Sequence, residues 1–67
     1  MYRWKVYAGP KLVDVVPADT KEEAAAKIKS ISERAARIHI EYDGIASPLM
    51  WAPFLADIPK EIWEGVA

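Results

Sequence analysis

The sequence predicts one α+β domain with the order strand, strand, helix, strand, followed by an apolar C-terminal segment. Two periodic patterns predict this class. Apolar and polar residues alternate in short runs, which is typical of half-buried strands. One alanine-rich stretch instead repeats its apolar residues at helical spacing. Because 67 residues leave room for a single domain, we expect residues 1–67 to form a three-stranded sheet with one helix packed on one face.

The first two strands form a predicted hairpin. Residues 2–8 alternate strictly, and one face of this strand carries four apolar side chains: Tyr2, Trp4, Val6 and Ala8. Gly9 and Pro10 indicate a turn, and residues 12–16 form a second run rich in β-branched side chains. Because Pro17 has no N–H to donate to a neighbouring strand, we expect it to close the second strand.

A helix is predicted next. Asp19 and Thr20 each precede a glutamate by three residues, which gives two overlapping capping boxes. The apolar positions that follow are spaced by four, three and four residues and form one stripe along a helix: Ala24, Ile28, Ile31 and Ala35. We expect the helix to end before Arg37, although no glycine is present to stop it.

Alternation returns at residues 37–42 and predicts a third strand, with its isoleucines facing inwards and Arg37, His39 and Glu41 facing outwards. Asp43 and Gly44 then turn the chain. The pattern leaves open whether this strand pairs with the first strand or with the second.

The C-terminal segment is rich in proline and tryptophan. Ser47 and Pro48 have the residue types that begin a helical turn. Asp57 can cap a short final helix over residues 59–64, which Gly65 would close. The predicted fold is therefore β-β-α-β with a proline- and aromatic-rich C-terminal segment that ends in a short helix.

The sequence offers no catalytic apparatus. It contains no cysteine and only one histidine, which excludes disulfides, thiolate zinc sites and histidine clusters. The glycines do not cluster into a phosphate-binding loop. His39 is the one candidate general base and Glu41 the one local carboxylate that could orient it, and a structural surface role is favoured for this histidine. We expect a protein that is not an enzyme and holds no cofactor and no metal.

Charge and hydropathy limit the location and the partners. A net charge of −1 does not resemble the basic footprint of a nucleic-acid-binding protein. The longest uncharged stretch, residues 44–56, contains two prolines and is too short to span a bilayer. The N-terminal residues alternate charged and aromatic side chains, unlike a signal peptide. We therefore expect a cytoplasmic protein that does not associate with membranes.

The C-terminal segment is the predicted partner surface. It holds more apolar side chains than a core of this size obviously needs, and exposed aromatic and methionine clusters mark protein interfaces. The residues assigned to this surface are Leu49, Met50, Trp51, Phe54 and Trp63. We predict an interaction module or accessory subunit that binds a protein partner, first of all a second copy in a homodimer. The alternative, left open here, is that the segment completes the chain's own core.

A second surface offers an alternative function. If the first and third strands are neighbours, their outer face carries basic and aromatic side chains that could bind single-stranded nucleic acid. The residues of this face are Arg3, Lys5, Tyr7, Arg37 and His39. The near-neutral net charge and the single tyrosine favour an ordinary solvated sheet face over this alternative.

Overall fold

A computed structural model describes residues 1–35, 37–44 and 48–63, with the side chains of residues 48 and 49 outside the description. The elements in chain order are β1 (Tyr2–Ala8), β2 (Lys11–Ala18), α1 (Lys21–Arg34), β3 (Ile38–Tyr42), α2 (Pro48–Trp51) and α3 (Lys60–Trp63). The strands form one antiparallel sheet in the order β2-β1-β3. The predicted α+β class and element order are confirmed, and the third strand pairs with the first. Within the described residues, no helix has the length and apolar character needed to cross a membrane.

β2 is longer than predicted. We expected Pro17 to close the strand, but β2 continues to Ala18 with Pro17 paired opposite Arg3. The Arg3 carbonyl accepts a hydrogen bond from the N–H of Asp43, on the other side of β1. The backbone groups of Arg3 therefore point towards β3, so Arg3 and Pro17 form a non-hydrogen-bonded pair. The backbone nitrogen and carbonyl of Pro17 accordingly point away from β1, towards the free edge of β2. A proline is tolerated at such a position of an edge strand, since no ladder bond is lost.

A β-bulge interrupts the β1–β2 pairing. Val6 lies opposite Asp14, whereas the next residue of β1, Tyr7, lies opposite Leu12. Val13 is therefore the extra residue of β2. Bulges on edge strands twist the edge and hinder the pairing of further strands.

The start of α1 follows one of the two predicted capping boxes. The Oγ1 of Thr20 accepts a hydrogen bond from the N–H of Glu23 at 3.1 Å. The Oε2 of Glu23 in turn accepts one from the N–H of Asp19 at 3.2 Å. The Thr20 side chain thus satisfies one backbone donor of the first helical turn, and the Glu23 side chain bonds back to the residue before the cap, Asp19.

α1 ends as expected, before Arg37. The N–H of Ala35 still donates to the carbonyl of Ile31, and Ala35 is the C-terminal cap. Arg37 has a φ of 60°, the left-handed conformation that glycine adopts most easily. The chain therefore reverses direction here at an arginine, in a segment that offers no glycine.

Glu23 gives the folded state a dependence on pH. The hydrogen bond from the N–H of Asp19, and then the hydrogen bond and charge of Lys27, lower the pKa of Glu23 below its ordinary value. A pKa lowered by folding means that the stabilisation is complete above the unfolded-state pKa and is lost as pH falls through the folded-state pKa.

We therefore expect Glu23→Gln to flatten the acid side of the stability profile, measured by urea unfolding over a series of pH values. Glu33→Gln, at an exposed position later in the same helix, is the matched control and should keep the wild-type profile. Equal profiles for Glu23→Gln and the wild type would contradict this role of the Glu23 carboxylate.

The core lies on one face of the sheet, and each of the three strands and three helices contributes at least one buried side chain to it. α1 packs against β1 and β2, and α3 packs against β3. The buried apolar residues among those described are Trp4, Val6, Val16, Ala18, Ala24, Ile28, Ile38, Ile40, Trp51, Leu55, Ile58 and Trp63. The last four come from the C-terminal segment, which therefore completes the inner face beside α1.

Backbone hydrogen bonds connect α2 to α3. The N–H groups of Phe54 and Leu55 both donate to the carbonyl of Trp51, and the N–H of Ile58 donates to the carbonyl of Leu55. The predicted final helix is present as α3. Its expected end at residues 64 and 65 and the expected Ser47 cap of the preceding turn lie outside the described residues. Asp57, the residue expected to cap the final helix, has its carboxylate 3.6 Å from the Lys29 ammonium of α1.

Candidate functional site

Much of the predicted C-terminal partner surface lies inside the chain's own core. Trp51 and Trp63 are only 2% and 7% exposed, and Phe54 is partly buried. Met50 is 53% exposed, and the side chain of Leu49 is outside the described part. Neither tryptophan offers surface to a partner while this core is closed, so Met50 is the described residue of the set that stands well out into solvent.

Trp51 is the centre of an aromatic cluster. Its ring centroid lies 5.3 Å from that of Tyr2, 5.0 Å from that of Trp4 and 5.1 Å from that of Tyr42. The Lys21 ammonium lies 5.6 Å from the Trp51 centroid and closes the cluster from the solvent side. The indole N–H groups of Trp4 and Trp51 are buried without a hydrogen-bond acceptor, and the edge-on packing of these rings surrounds them with aromatic surface.

The outer face of the sheet, opposite α1, carries its side chains in three columns that follow the strands. The column on β2 is apolar, the column on β1 is mainly basic, and the column on β3 is mainly acidic. In register order these columns are Pro17, Val15 and Leu12 on β2; Arg3, Lys5 and Tyr7 on β1; and Asp43, Glu41 and His39 on or just after β3. The exposed bulge residue Val13, which has no partner on β1, stands between Val15 and Leu12 and is counted with the column on β2. We call the first set the β2 column.

The β2 column holds the largest group of exposed aliphatic side chains that are adjacent in the described structure. Leu12 is 47% exposed, Val13 is 51% exposed and Val15 is 42% exposed. Our sequence interpretation did not identify this surface. The available signal was the composition of residues 12–16, where four of five residues are aliphatic and cannot all point to one core.

Four residues of the predicted nucleic-acid face, Arg3, Lys5, Tyr7 and His39, lie on the outer face of β1 and β3, and their charges are partly neutralised. Tyr7 and His39 stack in parallel, with centroids 4.9 Å apart and an interplanar angle of 7°. Arg3 and Lys5 both lie close to the Asp43 carboxylate, at 3.4 and 3.8 Å. Arg37, the fifth predicted residue, is exposed but lies before β3 and not within it, and its φ of 60° departs from the strand alternation that had placed it on this face. Because Asp43 and the neighbouring Glu41 offset the two β1 cations, the attraction of this face for phosphate is reduced.

The free edge of β2 lacks a free donor at two of its outward-facing positions, Val15 and Pro17. Arg3 and Pro17 form a non-hydrogen-bonded pair, and Lys5 and Val15, two residues along each strand, form another. The N–H of Val15 therefore points away from β1, towards the free edge of β2. That N–H donates to Oδ1 of Asp14 at 2.8 Å. Pro17 has no N–H, and its carbonyl accepts a hydrogen bond from the Lys27 ammonium at 2.7 Å. An approaching strand would find no free donor at either position.

The titratable groups of the described residues were predicted to include one candidate pair, His39 and Glu41. No three histidine, aspartate or glutamate side chains in this part lie close enough together to hold a metal ion. His39 and Glu41 share the outer face as the alternation predicts, and the imidazole stacks on the Tyr7 ring.

The comparisons with known proteins give no family for this chain. No protein-family model matches it, and neither a curated protein nor a solved structure is significantly similar to it.

Proposed function

We propose that this chain is a non-enzymatic interaction module or accessory subunit that binds a protein partner through the outer face of its sheet, along the β2 column. The carrying observation is the exposure of Leu12, Val13 and Val15, which lie side by side at 42–51% exposure. The same chain buries nearly all of its tryptophan surface, so these aliphatic residues are not the remainder of a loosely packed core. Contiguous apolar surface of this kind is typical of binding sites.

Binding at this face would be favourable because it removes aliphatic surface from water. Full burial of a valine or leucine side chain stabilises by about 1.5–3 kcal/mol, and each of these residues has roughly half of that surface left to bury. A polar border is already present, since Lys5 and Arg3 stand in the next column. An apolar centre with a charged border is the usual arrangement of a protein interface.

The predicted homodimer has less support from the C-terminal segment, because Trp51 and Trp63 are enclosed in the core. A second copy of the chain remains one partner that the outer face can bind. In a crosslinking experiment, its adduct would have twice the mass of the chain. We keep the cytoplasmic location as part of the same proposal, in line with a cysteine-free composition.

The test is site-specific photo-crosslinking in the protein's own host, with p-benzoylphenylalanine placed at position 13, 15, 30 or 50. Positions 13 and 15 lie in the β2 column, Ser30 is an exposed control on α1, and Met50 represents the C-terminal segment. We expect the same protein adduct from positions 13 and 15 and none from position 30. An adduct from position 50 alone would move the interface to the C-terminal segment. Equal adducts from position 30, or none from positions 13 and 15, would contradict the proposal.

Single-stranded nucleic acid is the second candidate ligand, and the parallel Tyr7–His39 stack favours it. This candidate requires binding that weakens as salt rises and that weakens further in Arg37→Ala. The matched control is Arg34→Ala, at an exposed position at the end of α1. A labelled oligonucleotide that does not bind at low salt would remove the candidate.

A further inference from the structure

We propose that the partner segment is an amphipathic α-helix with acidic residues along one flank, lying on the outer face across β2 and β1. This inference rests on the proposed function and specifies the partner of the same face. It follows from the blocked donors at Val15 and Pro17 on the edge of β2, from the spacing of the columns and from the order of their charges.

The two blocked donor positions on the edge of β2 favour a helix over an extended peptide. A peptide that adds a strand to a sheet obtains its affinity from main-chain hydrogen bonds along the edge. At β2 the N–H of Val15 is already bonded to Asp14, and Pro17 has no N–H to offer. An extended peptide on the face itself would leave its own backbone groups unpaired against Leu12 and Val13, whereas a helix pairs them internally.

The spacing of the columns fits the width of one helix. Neighbouring strands lie about 4.8 Å apart, and a helix with its side chains is about 10 Å across, so it covers two columns. The inner face shows that this pair of strands accepts a helix, because α1 packs there against β1 and β2 through Ala24 and Ile28. A helix on the outer face would place the same two strands between two helical layers.

The order of the charges gives the partner helix its acidic flank. Lys5 and Arg3 stand directly beside the β2 column with side chains 36% and 58% exposed, and they share one close carboxylate, that of Asp43 in the third column. Two cations against one carboxylate leave positive charge next to the β2 column, although the whole outer face is near neutral. A helix whose apolar stripe covers Leu12 and Val15 therefore sets one flank over these two cations. Glu41, in the third column, would repel an acidic helix that shifted towards β3. The columns thus specify both the charge and the position of the helix.

A second copy fits this face less well. The apolar stripe of α1 points into the chain's own core, so a second copy does not present it as a docking helix. With its axis along β2, a two-fold contact between two outer faces would overlap only the two β2 columns, because the two β1 strands would lie on opposite sides. With its axis perpendicular to the strands at Val15, the contact would set Lys5 against the Lys5 of the second copy. Like charges placed together in this way disfavour the contact.

The experiment uses two synthetic helical peptides with the same leucine stripe, one flanked by glutamate and the other by lysine. Each is titrated into the 15N-labelled full chain, and binding is followed by amide chemical shifts. We expect the glutamate peptide to bind at least about tenfold more tightly than the lysine peptide. The largest shifts should fall on β2 and β1. We expect Lys5→Glu to abolish this preference, whereas Lys29→Glu, the same charge change on α1, should preserve it.

Val15→Thr keeps the β-branched shape at this exposed position but replaces one methyl group of the β2 column with a hydroxyl. It should weaken binding of the glutamate peptide by about threefold or more, and unchanged affinity would overturn the placement on this column. Equal affinity for both peptides would overturn the acidic flank. Failure of both peptides to bind, while crosslinks still form at positions 13 and 15, would overturn the helix and leave the proposed function standing. Binding of an oligonucleotide to the same amides in place of either peptide would also overturn it.

Discussion

Trp51→Ala should leave the protein unfolded, or close to unfolding, at room temperature. Trp51 is 2% exposed and packs against Tyr2, Trp4 and Tyr42, so its removal opens a cavity in the centre of the aromatic cluster. A change from tryptophan to alanine in a core costs about 3–5 kcal/mol. A single core of this size rarely supplies more than about 3–5 kcal/mol of net stability. The measurement is urea unfolding followed by far-UV circular dichroism.

Met50→Ala is the matched control for this variant, because Met50 precedes Trp51 in α2 and is 53% exposed. Its free energy of unfolding should change by no more than about 0.5 kcal/mol. If Trp51→Ala instead kept wild-type stability and lost only the ability to associate, Trp51 would belong to an interface. That result would contradict its place in the core.

Trp63→Ala should have the second largest effect, a loss of about 3 kcal/mol in the free energy of unfolding. Trp63 is buried, and its indole N–H donates to the carbonyl of Ile58 at 3.2 Å. α3 has only four residues, from Lys60 to Trp63, and a helix this short does not form without tertiary packing. Loss of the indole should therefore also release α3 from β3, and faster amide exchange at Ile62 would report the release.

Two further variants separate the contributions of Trp63. Trp63→Phe keeps an aromatic ring against the core but loses the hydrogen bond to Ile58, so it should cost about 1 kcal/mol for that bond. Glu61→Ala, at an exposed position in the same helix, should leave stability within about 0.5 kcal/mol of the wild type. An equal loss in Trp63→Ala and Glu61→Ala would show that α3 is held by its backbone and not by the indole.

Local patterns with a strict period predicted their elements closely. The alternation at residues 2–8 gave the bounds of β1, because only one register sends both Trp4 and Val6 into a core. The pair Thr20 and Glu23 located the start of α1, since a capping box satisfies backbone donors that only a helix end leaves free. Both signals depend on neighbours in the sequence, so no knowledge of the tertiary structure was needed.

β2 could not be predicted as well, because its sequence lacks a period. Leu12, Val13, Val15 and Val16 are all aliphatic, so any register gives nearly the same pattern and the bulge at Val13 leaves no signal. The tolerance of Pro17 depends on β2 being an edge strand, which follows only from the strand order. The exposed column on β2 was missed for the same reason.

The C-terminal segment shows why the count of apolar residues did not distinguish a core from an interface. Trp51 is buried because β1 and β3 are neighbours and bring Trp4 and Tyr42 to opposing positions beneath it. The pairing of β1 with β3 joins residues far apart in the sequence, so local patterns do not predict it. Once the segment is assigned to the inner face, the surplus apolar surface of the described chain lies on the outer face of β2.

The most direct measurement is acrylamide quenching of tryptophan fluorescence over a dilution series, with the mass determined by light scattering at each concentration. Trp4, Trp51 and Trp63 are the three tryptophans of the chain, and all are buried within a single copy. We expect blue-shifted emission and weak quenching in the monomer, unchanged at every concentration. Strong quenching in the monomer that falls as the mass doubles would show that a second copy buries the C-terminal segment, and would contradict its place in the chain's own core.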